Sequence, residues 1–300
     1  MKYLIIVRLK GALGNQMFEY AFGRALSIKH GVPLKLDISG LKSVLHNYSF
    51  DLGHLNIQCE IASENETSKF TKRSLIGLTR LMTDRLRAPH KRYVLTESSY
   101  SFLPDLLHAR NKVYIQGYWQ SEKYFKNVEN IIKEELTVKN PLEGKNLQLA
   151  NEMQNCNSIS LHVRRGDYVN IKEVTKIHGI CSLDYFERAV IFMADKVDKP
   201  CFYIFSDDME WVESNLKIDF PMTLVNHNGS NIEHDGTDKC YEDIRLMSQC
   251  RHNIISNSTF SWWGAWLNNN NNKIVCAPKV WALDKALNTP DRVPLDWIRL

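Results

Sequence analysis

The chain has 300 residues, of which 44% are hydrophobic and 24% charged, so it can bury a full core and wholesale disorder is excluded. Its length is about twice that of a typical single domain, which favours two domains. The net charge of +4 is too small to indicate a nucleic acid partner, and we expect none. Seven scattered cysteines without a CxxC pair indicate a reducing compartment, with no disulfide framework and no zinc knuckle.

The first forty residues predict a strand, a turn, a helix and a second strand. Residues 3–8 are rich in β-branched and large apolar side chains, and residues 11–16 form a glycine-containing turn. Apolar residues then recur at helical spacing until Gly31, and residues 32–38 read as the second strand. A β-α-β start favours a parallel sheet covered by helices.

The second half repeats this pattern and predicts a second Rossmann-like unit. A helix is expected over 182–196, with Ser182 as its N-cap. The polar segment 137–157 marks the boundary, giving domains 1–145 and 146–300, with the last segment packing back on the first domain. The run 268–272 is expected to be a solvated turn. The other predicted elements are strands at 159–163, 201–205, 222–225, 253–256 and 274–277, and helices at 209–216 and 241–250.

The segment 69–92 combines many basic residues with a single acid, Asp84, and with leucine and methionine at helical spacing. We favour a helix packed on the core with a solvated basic face. The alternative is a basic amphipathic helix that lies on an anionic membrane surface. Since no uncharged apolar run approaches the roughly 18 residues of a membrane span, we expect a cytoplasmic protein, with peripheral contact at the inner membrane face as the added hypothesis.

Several nucleotide and hydrolase motifs are missing from the sequence. The turn Gly11-Ala12-Leu13-Gly14-Asn15-Gln16 lacks the third glycine of a dinucleotide fingerprint, and a side-chain amide pair takes its place. GxxxxGKS, HExxH and GxSxG are also absent. Walker-type phosphate binding, zinc proteolysis and serine hydrolysis therefore lose their usual sequence support.

Two adjacent arginines, Arg164 and Arg165, follow a predicted buried strand. Ligands bind at the carboxyl ends of parallel strands, and a guanidinium group can grip phosphate oxygens with two hydrogen bonds. The alternative is that both arginines form structural ion pairs, for example with Asp167.

A second polar cluster begins at Ile254 and continues into a helix-compatible run. Ser258 or Thr259 is expected at the N-cap, where free backbone N–H groups suit an anion, although an ordinary cap fits the motif equally well. Trp262 and Trp263 are interpreted as core residues.

The sequence Phe205-Ser206-Asp207-Asp208 ends another strand, and we favour an N-cap role for Ser206 or Asp207 over a metal site. The spaced Asp-x-Asp of metal-dependent sugar transferases is absent from the chain. If a diphosphate is bound, arginine and a helix N-terminus must therefore supply the positive charge.

Six motifs occur in one order along the chain: GALGNQMFEYAFGRAL, GYWQSEKYF, HVRRGDY, HGICSLDYF, FSDD and ISNSTFSWWGAWL. From Gly11 to Leu267 this set resembles the inverting α-1,2-fucosyltransferases of glycosyltransferase family 11, especially bacterial ones. The resemblance implies an α/β GT-B fold, with two Rossmann-like domains facing a central cleft. It also implies GDP-L-fucose as donor, the 2-hydroxyl of a terminal galactose as acceptor, and no metal or other cofactor.

The resemblance also implies roles for particular residues. Arg164 is assigned to the β-phosphate as the catalytic arginine, Asp243 to guanine, and Ser258 with Thr259 to phosphate. Glu19 stands where many relatives carry Gln, and no role is assigned to it. The whole predicted donor set is His162, Arg164, Arg165, Asp243, Ser258, Thr259 and Phe260.

The acceptor is expected to contact amides and aromatic faces, which suit the O–H and C–H edges of a sugar. Asp37 ends the second strand and could serve as the general base, although it could equally cap a turn or orient nearby amides. Trp119 could instead provide interdomain packing. The predicted acceptor set is Asn15, Gln16, Tyr118, Trp119, Gln120, Asp167 and Tyr168.

Two other functions remain open from the residues. One is an NAD-dependent nucleotide-sugar oxidoreductase or epimerase, against which the missing GxGxxG stands. The other is a non-catalytic carbohydrate-binding protein. For a cytoplasmic bacterial-type transferase, the expected acceptor is a galactose-terminated oligosaccharide or lipid-linked glycan of a cell-surface polysaccharide. The oligomeric state is not predicted.

Overall fold

The computed structural model describes residues 3–42, 48–229 and 239–300, and the chain forms two compact α/β units. Unit 1 comprises Met1–Thr137 together with Pro290–Arg292. Unit 2 comprises Val138–Thr289 together with Val293–Leu300. The division thus falls at the start of the polar segment 137–157, upstream of the boundary suggested by sequence.

Unit 1 is built on a five-stranded sheet in which every pair of neighbours is parallel. Its order is β3-β2-β1-β5-β4, and the central strand β1 has three fully buried residues, Ile5, Ile6 and Val7. The strands are Leu4–Arg8 (β1), Leu34–Asp37 (β2), Glu60–Ile61 (β3), Val94–Thr96 (β4) and Lys112–Gln116 (β5). The helices are Leu13–His30 (α1), Glu64–Ser68 (α2), Leu75–Asp84 (α3) and Glu129–Glu135 (α4).

Helix α1 begins earlier than the sequence suggested. Gly11 adopts a φ of 71° and Ala12 is extended, so the chain turns sharply and the helix starts at Leu13. Asn15 and Gln16 consequently lie in the first turns of a helix and not in a loop. The helix ends at Gly31, as predicted, with a φ of 61°.

Unit 2 contains a six-stranded parallel sheet of order β11-β10-β9-β6-β7-β8. All five strands predicted in this half are confirmed, and their ends lie within about two residues of the predicted ends. The strands are Asn157–Val163 (β6), Pro200–Ser206 (β7), Met222–Val225 (β8), His252–Ile254 (β9), Val275–Ala277 (β10) and Ile298–Arg299 (β11). The helices are Gly144–Gln154 (α5), Gly166–Asn170 (α6), Lys172–His178 (α7), Leu183–Lys196 (α8), Met209–Asn215 (α9), Cys240–Gln249 (α10) and Thr259–Leu267 (α11).

Helix α8 shows why the sequence predicts this half well. Ser182 is its N-cap, and its hydroxyl accepts a hydrogen bond from the backbone N–H of Tyr185 at 3.2 Å. Phe186, Ala189 and Met193 are buried at helical spacing in the core of unit 2. Trp262 and Trp263 of α11 are buried as well, which confirms their interpretation as core residues.

The segment 268–272 contains the expected solvated turn, with residues 271 and 272 exposed, but its first residue, Asn268, is buried. Its amide donates to the carbonyl oxygen of Cys250 at 2.7 Å and to Oδ1 of Asn253 at 2.8 Å. Its own Oδ1 accepts the backbone N–H of Asn270. A low-complexity run thus contains one residue that satisfies buried polar groups on β9 and before it.

The favoured interpretation of 69–92 is also wrong for its apolar face. Helix α3 exposes Leu75 and Met82 to solvent, whereas Arg80 points inward and stacks on the rings of Phe70 and Tyr93. Cation–π contact therefore reverses the expected orientation of this helix. Among the described residues, no helix is both long enough and apolar enough to cross a membrane.

We expect Asn268→Ala to lower the free energy of unfolding of unit 2 by about 2 kcal/mol, since it leaves buried acceptors without a donor. Urea unfolding followed by tryptophan fluorescence suits this test, because six of the seven tryptophans lie beyond residue 137. Asn271→Ala changes an exposed residue of the same run and is the matched control. Equal midpoints for the two variants would contradict the structural role of Asn268.

Candidate functional site

In unit 2, the carboxyl ends of three neighbouring strands lie side by side. Strand β6 pairs with β7 and with β9, so Leu161 stands between Ile204 and Ile254. The segments that follow these strands therefore meet at one edge of the sheet, where α/β proteins bind ligands. They carry the arginine pair, the adjacent aspartates and the start of α11.

Arg164 is held between two carboxylates at this edge. Its Nη1 lies 3.0 Å from Oδ2 of Asp207, and its Nη2 donates to Oδ1 of Asp167 at 2.8 Å. The side chain of Asp207 is 0% exposed. Burial by itself lowers the pKa of Arg164, but the two carboxylates raise it above its ordinary value. The site thus contains a fixed positive charge.

Asp207 also accepts the backbone N–H of Arg165 at 2.8 Å, so one carboxylate fixes both the side chain and the main chain of the arginine pair. The predicted cap at Ser206 or Asp207 is one position off. Asp208 caps α9, and its Oδ1 accepts the N–H of Trp211 at 3.1 Å. The reason is that Asp207 turns inward to the buried arginine.

Arg165 is engaged in structural contacts. Its Nε donates to Oδ2 of Asp208 at 2.9 Å, and its guanidinium lies 4.0 Å from the ring centroid of Trp211. Arg165 therefore forms a structural ion pair, which was the alternative to phosphate binding. Arg164 has ion pairs too, yet a guanidinium has five N–H donors, more than its two carboxylates require.

The N-terminus of α11 lies beside the end of β6. Ser258 is its N-cap and accepts the N–H of Phe260 at 3.3 Å, while Thr259 is the first helical residue. His162 and Ser256 join the two segments through a 2.8 Å hydrogen bond between Nδ1 and Oγ. Burial, with a smaller contribution from Arg164, lowers the pKa of His162 to about 3. The imidazole is therefore neutral.

Asn257 holds another motif in place, and its role was not predicted. Its buried amide donates to the carbonyl oxygens of His178, Gly179 and Trp281 at 3.1–3.3 Å. The ring of Tyr168 stacks on His178 at 5.0 Å. The sequence offered one signal for this contact: HGICSLDYF and ISNST belong to the same ordered set of motifs.

Asp243, the predicted guanine ligand, lies in a network of amides. Nδ2 of Asn228 donates to Oδ1 of Asp243 at 2.8 Å, and Nδ2 of Asn146 donates to Oδ1 of Asn228 at 2.9 Å. Nε2 of His227 lies 2.7 Å from Oδ1 of Asn146. His227 and Asn228 follow β8, so this network lies at the same edge of the sheet as Arg164. Sequence reasoning missed these three partners.

In unit 1, three of the predicted acceptor residues lie together. Oδ1 of Asn15 accepts from Nε2 of Gln120 at 2.7 Å, and Arg292 donates to Oε1 of Gln120. The ring of Tyr118 lies near Nζ of Lys10 at 5.8 Å. Burial raises the pKa of Tyr118 to about 12. These side chains are only partly buried, so they form a polar surface at the carboxyl ends of β1 and β5.

Two other members of the predicted acceptor set are fully buried. Gln16 donates to the carbonyl oxygens of Gly11 at 2.9 Å and Ser49 at 2.8 Å. Trp119 is 0% exposed, and its ring packs against Phe22 and Tyr124. As they stand, both side chains support the loops of unit 1 and offer no surface to a sugar.

Asp37 has a partner on each carboxylate oxygen. Oδ2 accepts from the hydroxyl of Tyr114 at 2.5 Å, and Oδ1 accepts from the backbone N–H of Ser39 at 2.9 Å. The second contact caps the 3-10 turn Ile38–Gly40. This is the capping role that we raised as the alternative to a general base.

Two glutamates have structural roles that the sequence reasoning did not assign. Glu97 accepts the N–H groups of Tyr118 at 2.7 Å and Trp119 at 3.0 Å. A Cβ at position 117 would lie 2.4 Å from Cβ of Glu97, so Gly117 is required for this approach. Glu19 is fully buried and accepts the N–H of Lys10. Burial raises the pKa of both carboxyl groups.

Across residues 3–42, 48–229 and 239–300, no three His, Cys, Asp or Glu side chains are grouped so that they could hold a metal ion. The aspartates of the FSDD segment are occupied by arginines and by a helix cap.

The sequence model described as Glycosyl transferase family 11 matches residues 2–300. The chain belongs to this family. The predicted family is therefore confirmed, and the protein is a glycosyltransferase. Membership argues against both the NAD-dependent oxidoreductase and the non-catalytic binding protein.

Two relatives from Escherichia coli match almost the whole chain. The Alpha-1,2-colitosyltransferase is 32% identical over 303 residues, which cover 99% of each protein. The O-antigen biosynthesis glycosyltransferase WbnK is 32% identical over 318 residues, covering 97% of this chain and 99% of the relative. The Galactoside 2-alpha-L-fucosyltransferase Sec1 of Mus musculus is 25% identical, covering 88% of this chain and 64% of the relative.

Solved fucosyltransferases share the fold. NodZ, an alpha-1,6-fucosyltransferase soaked with GDP-fucose, superposes with a TM-score of 0.52 at 16% identity, covering 89% of this chain and 93% of NodZ. A mutant of Arabidopsis thaliana FUT1 in complex with GDP gives a TM-score of 0.54 at 11% identity, covering 92% of this chain and 70% of that one. The GT-B class predicted from the sequence is thereby confirmed.

His162 generates a prediction on pH. Because its pKa is lower in the folded than in the unfolded protein, the unfolded chain binds more protons between pH 6.5 and about 3, and stability falls as the pH falls through this window. In the parent protein this effect lowers the free energy of unfolding by up to about 1.4 kcal/mol per pH unit, and we expect His162→Gln to abolish it. Urea unfolding by tryptophan fluorescence at pH 7.5, 6.0 and 5.0 measures the two slopes, and parallel slopes would contradict a neutral buried histidine.

Proposed function

We propose that the protein transfers L-fucose from GDP-L-fucose to the 2-hydroxyl of a terminal β-galactoside in a surface-glycan precursor, forming an α-1,2 linkage with inversion. The observation that carries the proposal is Arg164, a charged guanidinium held by the buried Asp207 at the carboxyl end of β6. Family membership and the name of the murine relative, a galactoside 2-alpha-L-fucosyltransferase, support it.

The diphosphate is assigned to the loop after β6 and the start of α11. As the bond between fucose and GDP breaks, negative charge grows on the β-phosphate, so the attraction of Arg164 increases toward the transition state. The N–H groups at the start of α11, next to Ser258 and Thr259, add partial positive charge to the same edge. Both groups are in place before a ligand arrives.

The guanine base is assigned to Asp243. A carboxylate can accept hydrogen bonds from N1 and N2 of guanine, and the Asn228 amide fixes the orientation of this one at 2.8 Å. The neutral His162 lies beneath the site with Ser256 and Phe260, so we assign it to support of the donor loop.

The acceptor is assigned to Asn15, Tyr118 and Gln120 in unit 1, with Asp167 and Tyr168 as the further predicted contacts. Gln16, Trp119 and Asp37 are left out of this set, because the first two are buried and both oxygens of Asp37 already have partners. No general base is assigned.

We also propose that transfer needs no divalent cation. The positive charge would come from Arg164 and from the main chain of α11, and it acts on the leaving phosphate where a metal acts in other transferases. Turnover should therefore persist in excess EDTA. A requirement for Mg²⁺ or Mn²⁺ would refute this part of the proposal.

We expect Arg164→Ala to lower kcat/KM with GDP-fucose by about a hundredfold or more, since it removes a charged group that acts on the leaving oxygen. Arg188→Ala is the matched control, because Arg188 is exposed on α8 and forms an exposed ion pair with Asp184. Thermal shift with GDP checks that each variant folds. Near-normal turnover of folded Arg164→Ala would refute the assigned role.

Colitose is the second candidate sugar, because a relative that matches nearly the whole chain is named for its transfer. Colitose is fucose without its 3-hydroxyl. A site that hydrogen-bonds this hydroxyl favours fucose over colitose by roughly 10⁴-fold in kcat/KM. An apolar site at the same place favours colitose over fucose by about a hundredfold at most. We expect the ratio of kcat/KM for GDP-fucose over GDP-colitose to exceed 10³.

The ratio is measured with a panel of β-galactosides, and product NMR reads the linkage and the anomeric configuration. A ratio below one would move the proposal to colitose. Transfer to a hydroxyl other than the 2-position would refute the acceptor assignment.

A further inference from the structure

Helix α3 packs on the rest of unit 1 through Arg80. The guanidinium of Arg80 lies 4.5 Å from the ring centroid of Phe70 and 4.8 Å from that of Tyr93. Arg87 and Arg110 also approach the ring of Tyr93, at 4.9 and 3.7 Å. The inward side of α3 therefore packs through a guanidinium group, together with Leu81, which contacts the same apolar cluster.

The single acid of this segment strengthens the attachment. Asp84 is buried at the end of α3, and its carboxylate accepts the backbone N–H groups of Tyr93 at 2.9 Å and Val94 at 2.8 Å. It also pairs with Arg87. The buried carboxylate at the end of α3 thus binds the backbone at the start of β4 and fixes the orientation of the helix.

The opposite side of the helix exposes large apolar side chains. Leu75 is 82% exposed, Met82 is 70% exposed and Leu86 is 93% exposed, with Leu78 on the same face. Their spacing of three and four residues places them in one stripe along α3 and the turn that follows it. A contiguous exposed stripe of this kind marks an interaction site.

The polar residues that border the stripe are basic. Lys72, Arg73, Arg85 and Lys91 are exposed, whereas the one acid between residues 69 and 93, all of which the structure describes, is the buried Asp84. We define the docking surface as Leu75, Leu78, Met82 and Leu86 together with Lys72, Arg73 and Arg85. It presents hydrocarbon and positive charge without a negative group.

We propose that this docking surface binds the anionic lipid surface of a membrane. A lipid interface matches both features of this surface. Its acyl chains accept the apolar stripe, and its anionic headgroups attract the flanking lysine and arginines. A second copy of the chain suits the surface less well. In a two-fold contact the same patch faces itself, which brings the positive groups together without a compensating carboxylate.

Vesicle sedimentation with the full chain tests the proposal without reference to sugar transfer. We expect the protein to pellet with vesicles of phosphatidylglycerol and phosphatidylcholine, to stay in the supernatant with phosphatidylcholine alone, and to dissociate as salt is raised. The vesicles contain no glycolipid, so failure of the proposed transferase activity leaves this result unaffected.

Two double variants separate the apolar and electrostatic contributions. Met82→Glu with Leu86→Glu, and Arg73→Glu with Arg85→Glu, should each weaken binding to anionic vesicles by about tenfold or more, given about fivefold for each basic residue near such a surface. Ile191→Glu, on the exposed side of α8, and Lys279→Glu are matched controls that should bind like the parent chain. All of these side chains face solvent, so melting curves should coincide.

Equal binding to both kinds of vesicle, no binding to either, or equal losses in the controls would overturn the proposal. Light scattering adds a further decisive outcome. A dimer that Leu86→Glu dissociates, in a protein that ignores vesicles, would assign the docking surface to contact between copies of the chain.

Discussion

A single buried carboxylate, that of Asp207, organises the candidate donor site. An isolated charge at such a depth would be costly, and Arg164 with the N–H of Arg165 compensates it. Asp207 in turn restrains Arg164, because movement of this arginine would leave the buried carboxylate with only the backbone N–H of Arg165 as a partner. The guanidinium is therefore oriented in the unliganded protein, and binding a diphosphate requires no reorganisation of this charge. That preorganisation is the physical basis for assigning leaving-group stabilisation to this residue.

Neutral amides hold the segments around this pair. In unit 2, Asn253 donates to Ser160 and to the carbonyl oxygen of Met247, so it joins β9 to β6 and to α10. Asn257 joins three loop carbonyls in the same way. In unit 1, separately, a carboxylate holds a loop in place: that of Glu97 accepts two backbone N–H groups of the turn after β5. Hydrogen-bond networks of this kind make the loops specific and rigid, since each broken hydrogen bond leaves a polar group unpaired.

The regular elements could be predicted from sequence because their signals are local. Strands are short apolar runs, and the cap at Ser182 needs only its own helix. The errors arise where distant residues decide. Asp207 and Asp208 fit a cap equally well until Arg164 engages the first. Asn268 hydrogen-bonds residues 15 and 18 positions away. In the candidate site, the arginine loop could be predicted because it comes directly after a recognisable strand. The Asn146 network could not, because it joins residues about eighty positions apart and leaves no local pattern.

Helix α3 shows the same limit most clearly, since periodicity identifies two faces of a helix without saying which one turns inward. Stacking of an arginine on an aromatic ring stabilises by about 0.5–2 kcal/mol, and two arginines of this segment, Arg80 and Arg87, lie over the ring of Tyr93. Leaving a leucine or methionine in water forgoes about 1.5–3 kcal/mol each. The inward arginines thus recover only part of what burial of Leu75, Met82 and Leu86 would supply. The remaining free energy is available to any apolar surface that also tolerates the bordering positive charge, and an anionic lipid interface meets both conditions.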